Sequence, residues 1–151
     1  MNGRKAPPDR RIIGRSMVYK SSIDTNIVLR ILVNDIPKQR RRAVKLLSQP
    51  NATYCLEDIA LTEIVHVLET VYGCSRVDII DKLSFFLARY DGIIEYNRPL
   101  MRSVFPFYLE HPKLSFNDCC LAAMAELNGA EPLFTLDKKL ASQHPSAKLL
   151  N

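Results

Sequence analysis

The chain has 151 residues, 47% hydrophobic and 25% charged, with four cysteines and a formal net charge of +5. That length suffices for one domain with its own core, without disulfide or metal staples. No apolar run approaches the ~20 residues that cross a bilayer, and the basic N-terminus is followed only by Ile12 and Ile13 rather than by an apolar leader.

The charge is unevenly spread. Arg4, Lys5, Arg10, Arg11 and Arg15 stand against Asp9 within residues 1–16, so most of the net charge belongs to this segment. With Pro7, Pro8 and Gly14, it is expected to be a disordered basic extension preceding a domain over 17–151; a basic arm that tracks phosphates is the sharper alternative. Cys55, Cys74, Cys119 and Cys120 form no CxxC pair, and reduced thiols in a cytoplasm are the expected state. His66, His111 and His144 lack the spacing of zinc ligands.

In chain order, residues 18–23 have the β-branched content of a short buried strand, and 27–32 continue as a short helix. Pro37 suits the first turn of a helix running to Leu47. Residues 53–56 read as a second strand. A long amphipathic helix follows Asp58, with Ala60, Ile64, Val67, Leu68 and Val71 as its stripe and a stop near Gly73. Another runs from Ser75 to about Tyr90, with Val77, Ile80, Leu83, Phe86 and Leu87 facing the core. Residues 93–96 are strand-like. Residues 99–109 are helical, with a kink or break expected at Pro106. Ser115 opens a helix through Leu127 that ends at Asn128-Gly129. Residues 132–136 form a strand, 138–142 a short helix and 148–150 a last strand. Strands alternating with helices predict an α/β fold with a mainly parallel sheet, whose ligands bind beyond the carboxyl ends of the strands.

Four acids stand out. Asp24 and Asp137 close two predicted strands, and Asp118 lies early in a helix after Ser115-Phe116-Asn117. Glu63 sits at the border of an apolar stripe, while His66 and Glu69 fall on the opposite, solvated face. Each has an ordinary reading: an N-cap for Asp24 and Asp137, a capping box for Asp118, a half-exposed border acid for Glu63. Together, in a doubly wound fold, they could converge. Converging carboxylates repel unless a cation neutralises them, and hard oxygen donors select magnesium or manganese over zinc. Phosphodiester hydrolysis is the chemistry such an ion supports. No GxxxxGK[ST], GxGxxG or GxSxG is present, Asn26 stands where a haloacid-dehalogenase phosphatase needs its second aspartate, and Cys119-Cys120 suit core packing better than nucleophilic attack.

Three blocks carry a family likeness: residues 22–35 (SIDTNIVLRILVND), 61–68 with 71–73 (LTEIVHVL and VYG), and 115–118 with 129–139 (SFND and GAEPLFTLDKK). In this order they resemble a PIN domain, particularly the VapC toxins of toxin–antitoxin pairs. The resemblance implies a central parallel sheet flanked by helices on both faces, a homodimer, and Mg²⁺- or Mn²⁺-dependent endoribonuclease activity. It implies that Asp24 and Asp118 hold the metal, with Glu63 and Asp137 binding directly or through water, and that Asn26 and Thr135 support them by hydrogen bonds. The usual partner of the family is a VapB antitoxin whose C-terminal segment lies beside the acids. Asn117 stands where the family commonly has a small or apolar residue.

RNA is expected to be guided by Arg30, Arg40, Arg41, Arg42 and Lys45, for which a solvated helix face or a groove for an acidic partner is the alternative. The rival functions are a catalytically silent RNA-binding module and a nuclease used for RNA maturation.

Overall fold

The computed structural model describes residues 19–151. The basic segment 1–16 and Val18 lie outside the described residues. Strands β1 (Tyr19–Ser22), β2 (Ala52–Cys55) and β3 (Ile94–Glu95) form a parallel sheet in that order, with Ser22 opposite Cys55 and Cys55 opposite Glu95. Helices α1 (Thr25–Val33) and α2 (Pro37–Leu47) connect β1 to β2, and α3 (Asp58–Thr70) and α4 (Arg76–Arg89) connect β2 to β3. Then come α5 (Arg98–Glu110), α6 (Phe116–Leu127), β4 (Leu133–Thr135), α7 (Lys138–Gln143) and β5 (Ala147–Leu149). The fold is α/β with parallel strands, as the sequence predicts. Among the described residues the five strands make two sheets, β1-β2-β3 and the parallel pair β4-β5, rather than one. No helix among the described residues is long and apolar enough to cross a membrane.

The core is built where the helical stripes meet. Leu61, Ile64, Val65 and Leu68 of α3 pack with Leu83 of α4 and Val104 of α5, all fully buried. Two stripe residues expected in the core are not there: Val71 is 70% exposed and Val77 59%. Val71 lies just past the last residue of α3, and Tyr72 packs against the core in its stead. The α4 stripe is centred on Leu83, and Val77, six residues earlier, lies about 120° around the helix from it. Ile79 takes the buried position.

Pro106 does not split α5. It deprives the carbonyl four residues back, that of Arg102, of a partner; Arg102 is exposed, so water can replace it, while Leu100, Met101, Val104 and Tyr108 anchor both sides of the proline.

The C-terminal β4-α7-β5 unit docks through His144. The residue is 6% exposed; its ring packs on Phe107 with centroids 4.5 Å apart and accepts the Ser146 N–H at Nδ1 (3.1 Å). Burial holds its pKa below the ordinary histidine value; His111 acts in the same direction, and Glu126 and Glu131 oppose it. The native protein therefore binds fewer protons than the unfolded chain once pH drops below about 6.5, and stability falls as pH decreases towards the depressed native value. Thermal denaturation between neutral and mildly acidic pH is expected to show this slope. His144→Asn, whose amide oxygen can still accept from Ser146, is expected to flatten it. Equal slopes would remove His144 as the cause.

Candidate active site

Asp24 is placed by the end of β1. Ile23 is buried and its N–H still bonds the Cys55 carbonyl (3.0 Å), so the chain leaves the sheet at Asp24. The exposed Asp24 caps α1, its Oδ1 accepting the Ile27 N–H at 3.2 Å. Thr25, the first helical residue, turns inward, is 7% exposed, and donates its hydroxyl to Glu63 Oε2 at 2.8 Å. This bond joins the start of α1 to the middle of α3 and sets Glu63 beside the residue that follows Asp24. Asn26, the neighbour whose support the family resemblance implies, is exposed and makes no side-chain hydrogen bond among the described residues. For Thr25, a β-branched hydroxyl directly after a strand-end aspartate was the signal available.

Asp118 is half-buried at the start of α6. Its Oδ2 accepts the Ser115 hydroxyl (2.7 Å) and the Ser115 N–H (3.3 Å), while Ser115 Oγ accepts the Asp118 N–H (3.1 Å), which completes the expected capping box. The turn before α6 is pinned by Arg76: its guanidinium donates to the carbonyls of Tyr108 (2.9 Å), His111 (3.2 Å) and Leu114 (2.6 Å) and lies over the Tyr108 ring at 4.0 Å. Glu69, expected on a solvated face, instead accepts the buried Tyr108 hydroxyl and pairs with Arg76 Nε at 3.8 Å, because a buried phenol needs an acceptor. Desolvation pushes the Tyr108 hydroxyl pKa well up.

Asp137 caps α7, Oδ1 accepting from the N–H groups of Lys139 (2.7 Å) and Leu140 (3.3 Å). Thr135 Oγ1 accepts the Asp137 N–H at 3.0 Å, a bond to the backbone of Asp137 rather than to its carboxylate. The ordinary capping readings of Asp24, Asp118 and Asp137 thus all hold. They leave a common pattern: each of the four carboxylates is held through one oxygen, and the other makes no hydrogen bond among the described residues. No three His, Cys, Asp or Glu side chains among the described residues stand close enough together to hold a metal as they are. The donor set itself, hard carboxylate oxygens at the starts of α1, α6 and α7 plus Glu63, fits magnesium or manganese and not zinc.

Cys119 and Cys120 lie inside α6 and are buried; burial pushes their thiols up to about 11 and about 12, which leaves them unreactive. Of the candidate basic residues, Arg30 is committed internally: its side chain is 16% exposed and pairs with Asp35, which also accepts the Tyr72 hydroxyl at 2.6 Å. These bonds hold the Asp35 carboxyl below its usual range. Arg41, Arg42 and Lys45 are exposed on α2, and Arg40 lines a groove of about 570 Å³ with Ile31, Leu32, Val44, Phe85 and Arg89.

Parallel strands alternating with helices, with Asp24 and Asp137 at the ends of β1 and β4, define an α/β domain. A family model for the PIN domain matches residues 22–143, and the chain belongs to the PIN domain family. PIN domains are generally nucleases, and PIN nucleases generally use divalent metals. Among solved structures, VapBC2 from Rickettsia felis bound to a DNA fragment from their promoter is 19% identical, covering 87% of this chain and 98% of that one, with a TM-score of 0.36. PAE2754 from Pyrobaculum aerophilum is also 19% identical, covering 88% and 90%, with a TM-score of 0.32. No curated protein matches the chain.

If Glu63 is a working acid, Thr25→Val is expected to lower the catalytic rate by about 10- to 100-fold, the usual cost of losing a bond that orients a ligand. The thermal midpoint should barely move, since the exposed Glu63 can turn to water. Initial rates and melting curves measured together check this; an unchanged rate would remove the bond from the machinery.

Proposed function

We propose that this chain is a metal-dependent endoribonuclease, the toxin of a VapBC-type toxin–antitoxin pair, acting in the cytoplasm, with residues 17–151 as the nuclease domain. The observation that carries the reading is the shared pattern of Asp24, Glu63, Asp118 and Asp137. Each is oriented through one oxygen with the other making no hydrogen bond among the described residues, and the sequence blocks around them resemble those that carry the family's acids. Asp24 and Asp118 would hold Mg²⁺, or Mn²⁺ in its place, with Glu63 and Asp137 bound directly or through water. Such an ion supplies Lewis-acid polarisation of the scissile phosphate and a water of lowered pKa. The chain's own part is to orient the acids: Ser115 holds Asp118, Thr25 holds Glu63, and the α1 and α7 termini hold Asp24 and Asp137.

The partner is a VapB-like antitoxin. The groove between α1, α2 and α4 suits an apolar segment with acidic residues, since Phe85 is 75% exposed and Arg40 and Arg89 flank it. The exposed Ile59, Val71 and Val77 of the α3–α4 pair suit a homodimer.

The test is incubation of purified protein, free of any co-expressed partner, with total structured RNA and Mg²⁺ or Mn²⁺. Discrete cuts are expected, abolished by EDTA and restored when excess Mn²⁺ is returned. Cleavage that survives EDTA would overturn the metal assignment. RNA binding with no metal-dependent cleavage would favour the silent binding module.

A further inference from the structure

A groove of about 540 Å³ runs between α4 and α5, lined by Arg98, Arg102, Tyr96, Phe105, Ser84 and Asp91 among others. None of these residues belongs to the acid site, and Arg30, Arg40, Arg41, Arg42 and Lys45 all lie outside the lining. Two arginines and one carboxylate line it. Arg98 pairs with Asp91 and lies over the Tyr96 ring, 4.9 Å from its centroid. Arg102 makes no hydrogen bond or ion pair among the described residues. The Arg98–Asp91 pair is about half-exposed on both sides, and such pairs contribute little to stability. The fold therefore does not require this stacked, pre-oriented guanidinium. Cations beside an aromatic face are the elements that single-strand binders use, the cations for backbone phosphates and the ring for a base.

The groove's position links it to the acids. β1, β2 and β3 are parallel and in register, so Asp24 beyond β1 and Tyr96 to Arg98 beyond β3 leave the sheet at the same, carboxyl, end. Two strand spacings separate them, about 10 Å, a reach that a few nucleotides cover. Between them lies a shallow depression lined by Cys55, Glu57, Asp58, Glu95 and Asn97, and Tyr96 borders both hollows. Its acids do not close the path. Glu95 is paired with Lys20 at 2.6 Å and Asp58 accepts from Asn97 Nδ2 at 3.0 Å, which leaves Glu57 without such a bond among the described residues.

We infer that the α4–α5 groove binds single-stranded RNA flanking the cleavage point, with Arg98 and Arg102 on phosphates and Tyr96 stacked on a base. The inference rests on the ribonuclease reading, and it deepens that reading by naming where the substrate strand runs.

The experiment is a fluorescence-anisotropy titration in EDTA, which prevents cleavage, using a labelled oligouridylate of about 12 nucleotides, within the usual site sizes of single-strand binders. Arg102→Ala is expected to weaken binding severalfold and to reduce the slope of log K against log salt by about 0.7, the value for one lost phosphate contact on a single strand. Tyr96→Leu is expected to weaken binding at least about fivefold with the slope unchanged. Lys148→Ala, on the exposed face of β5, serves as a charge-matched control and should bind like the wild type. The Mg²⁺ cleavage assay is run on the same preparations. Wild-type binding that neither groove variant weakens overturns the inference and leaves the nuclease reading standing. Absent cleavage, with RNA binding that still depends on Arg102 and Tyr96, overturns the nuclease reading and keeps the groove. No wild-type RNA binding overturns the groove.

Discussion

Asp118→Asn is expected to reduce metal-dependent RNA cleavage by more than about 100-fold, since even residues that merely orient a metal ligand cost 10- to 100-fold when changed. The substitution separates the capping role that the structure shows from the ligand role proposed for this side chain. As a cap, Asp118 uses one oxygen, Oδ2, to accept from Ser115 Oγ and N; an amide oxygen can accept both. As a ligand, it would use its other oxygen and its charge, and asparagine supplies neither. The melting temperature should therefore stay close to that of the wild type, with a stability change below about 1 kcal/mol. Ser115→Ala makes the reverse cut. It removes the hydroxyl that accepts the Asp118 N–H and donates to its carboxylate, costing about 0.5–2 kcal/mol as a lost N-cap. The carboxylate remains, so cleavage should persist at a reduced rate because the acid is less well oriented. Rates on a common RNA substrate, measured beside melting curves, decide between the roles. An Asp118→Asn protein that cuts like the wild type would reduce Asp118 to a capping residue and take the acid set with it.

The same division between local and tertiary causes explains what could be read from the sequence. Features fixed by near neighbours were legible. Pro37 marks the start of α2, Ser115 and Asp118 build their box within one turn, and Asn128-Gly129 ends α6, with Gly129 at a φ of +63° that suits glycine. The alternation of short strands and helices was enough for the α/β class and the parallel pairing. Features fixed by distant partners were not legible. Val71 and Val77 satisfy helical periodicity loosely, and only the packing directions of α3 and α4 reveal that they face outward. Thr25 has a turn residue's propensity, and its hydroxyl gains a role only because α3 brings Glu63 to it across 38 positions of sequence. Glu69 reads as a surface acid until Tyr108 and Arg76 arrive from other helices. The four acids stand out in the sequence, but their single-oxygen anchoring, by helix caps for Asp24, Asp118 and Asp137 and by the Thr25 hydroxyl for Glu63, is visible only in the fold.

Arg76→Ala is expected to be the most destabilising single change outside the apolar core, at about 2–4 kcal/mol. The guanidinium satisfies the carbonyls of Tyr108, His111 and Leu114, and all three bonds are partly buried. Removing the donor leaves acceptors whose desolvation is no longer compensated, at about 1–3 kcal/mol for such a group. It also leaves Glu69 facing the Tyr108 hydroxyl without its cation, and removes the surface stacked on the Tyr108 ring. In a chain of this size the loss corresponds to a melting temperature lower by about 4–16 °C. Lysine is not an adequate replacement: a single ammonium can keep the attraction to Glu69 but cannot reach three carbonyls in fork geometry, so Arg76→Lys should fall between wild type and alanine. The effect should extend to catalysis, because these carbonyls belong to the end of α5 and the turn that presents Ser115 and Asp118. Assayed well below its melting temperature, where the variant is folded, Arg76→Ala should still cut RNA more slowly than the wild type. Normal activity in a destabilised protein would show that α6 positions Asp118 without help from that turn. An unchanged melting temperature would show that water replaces the guanidinium at all three carbonyls.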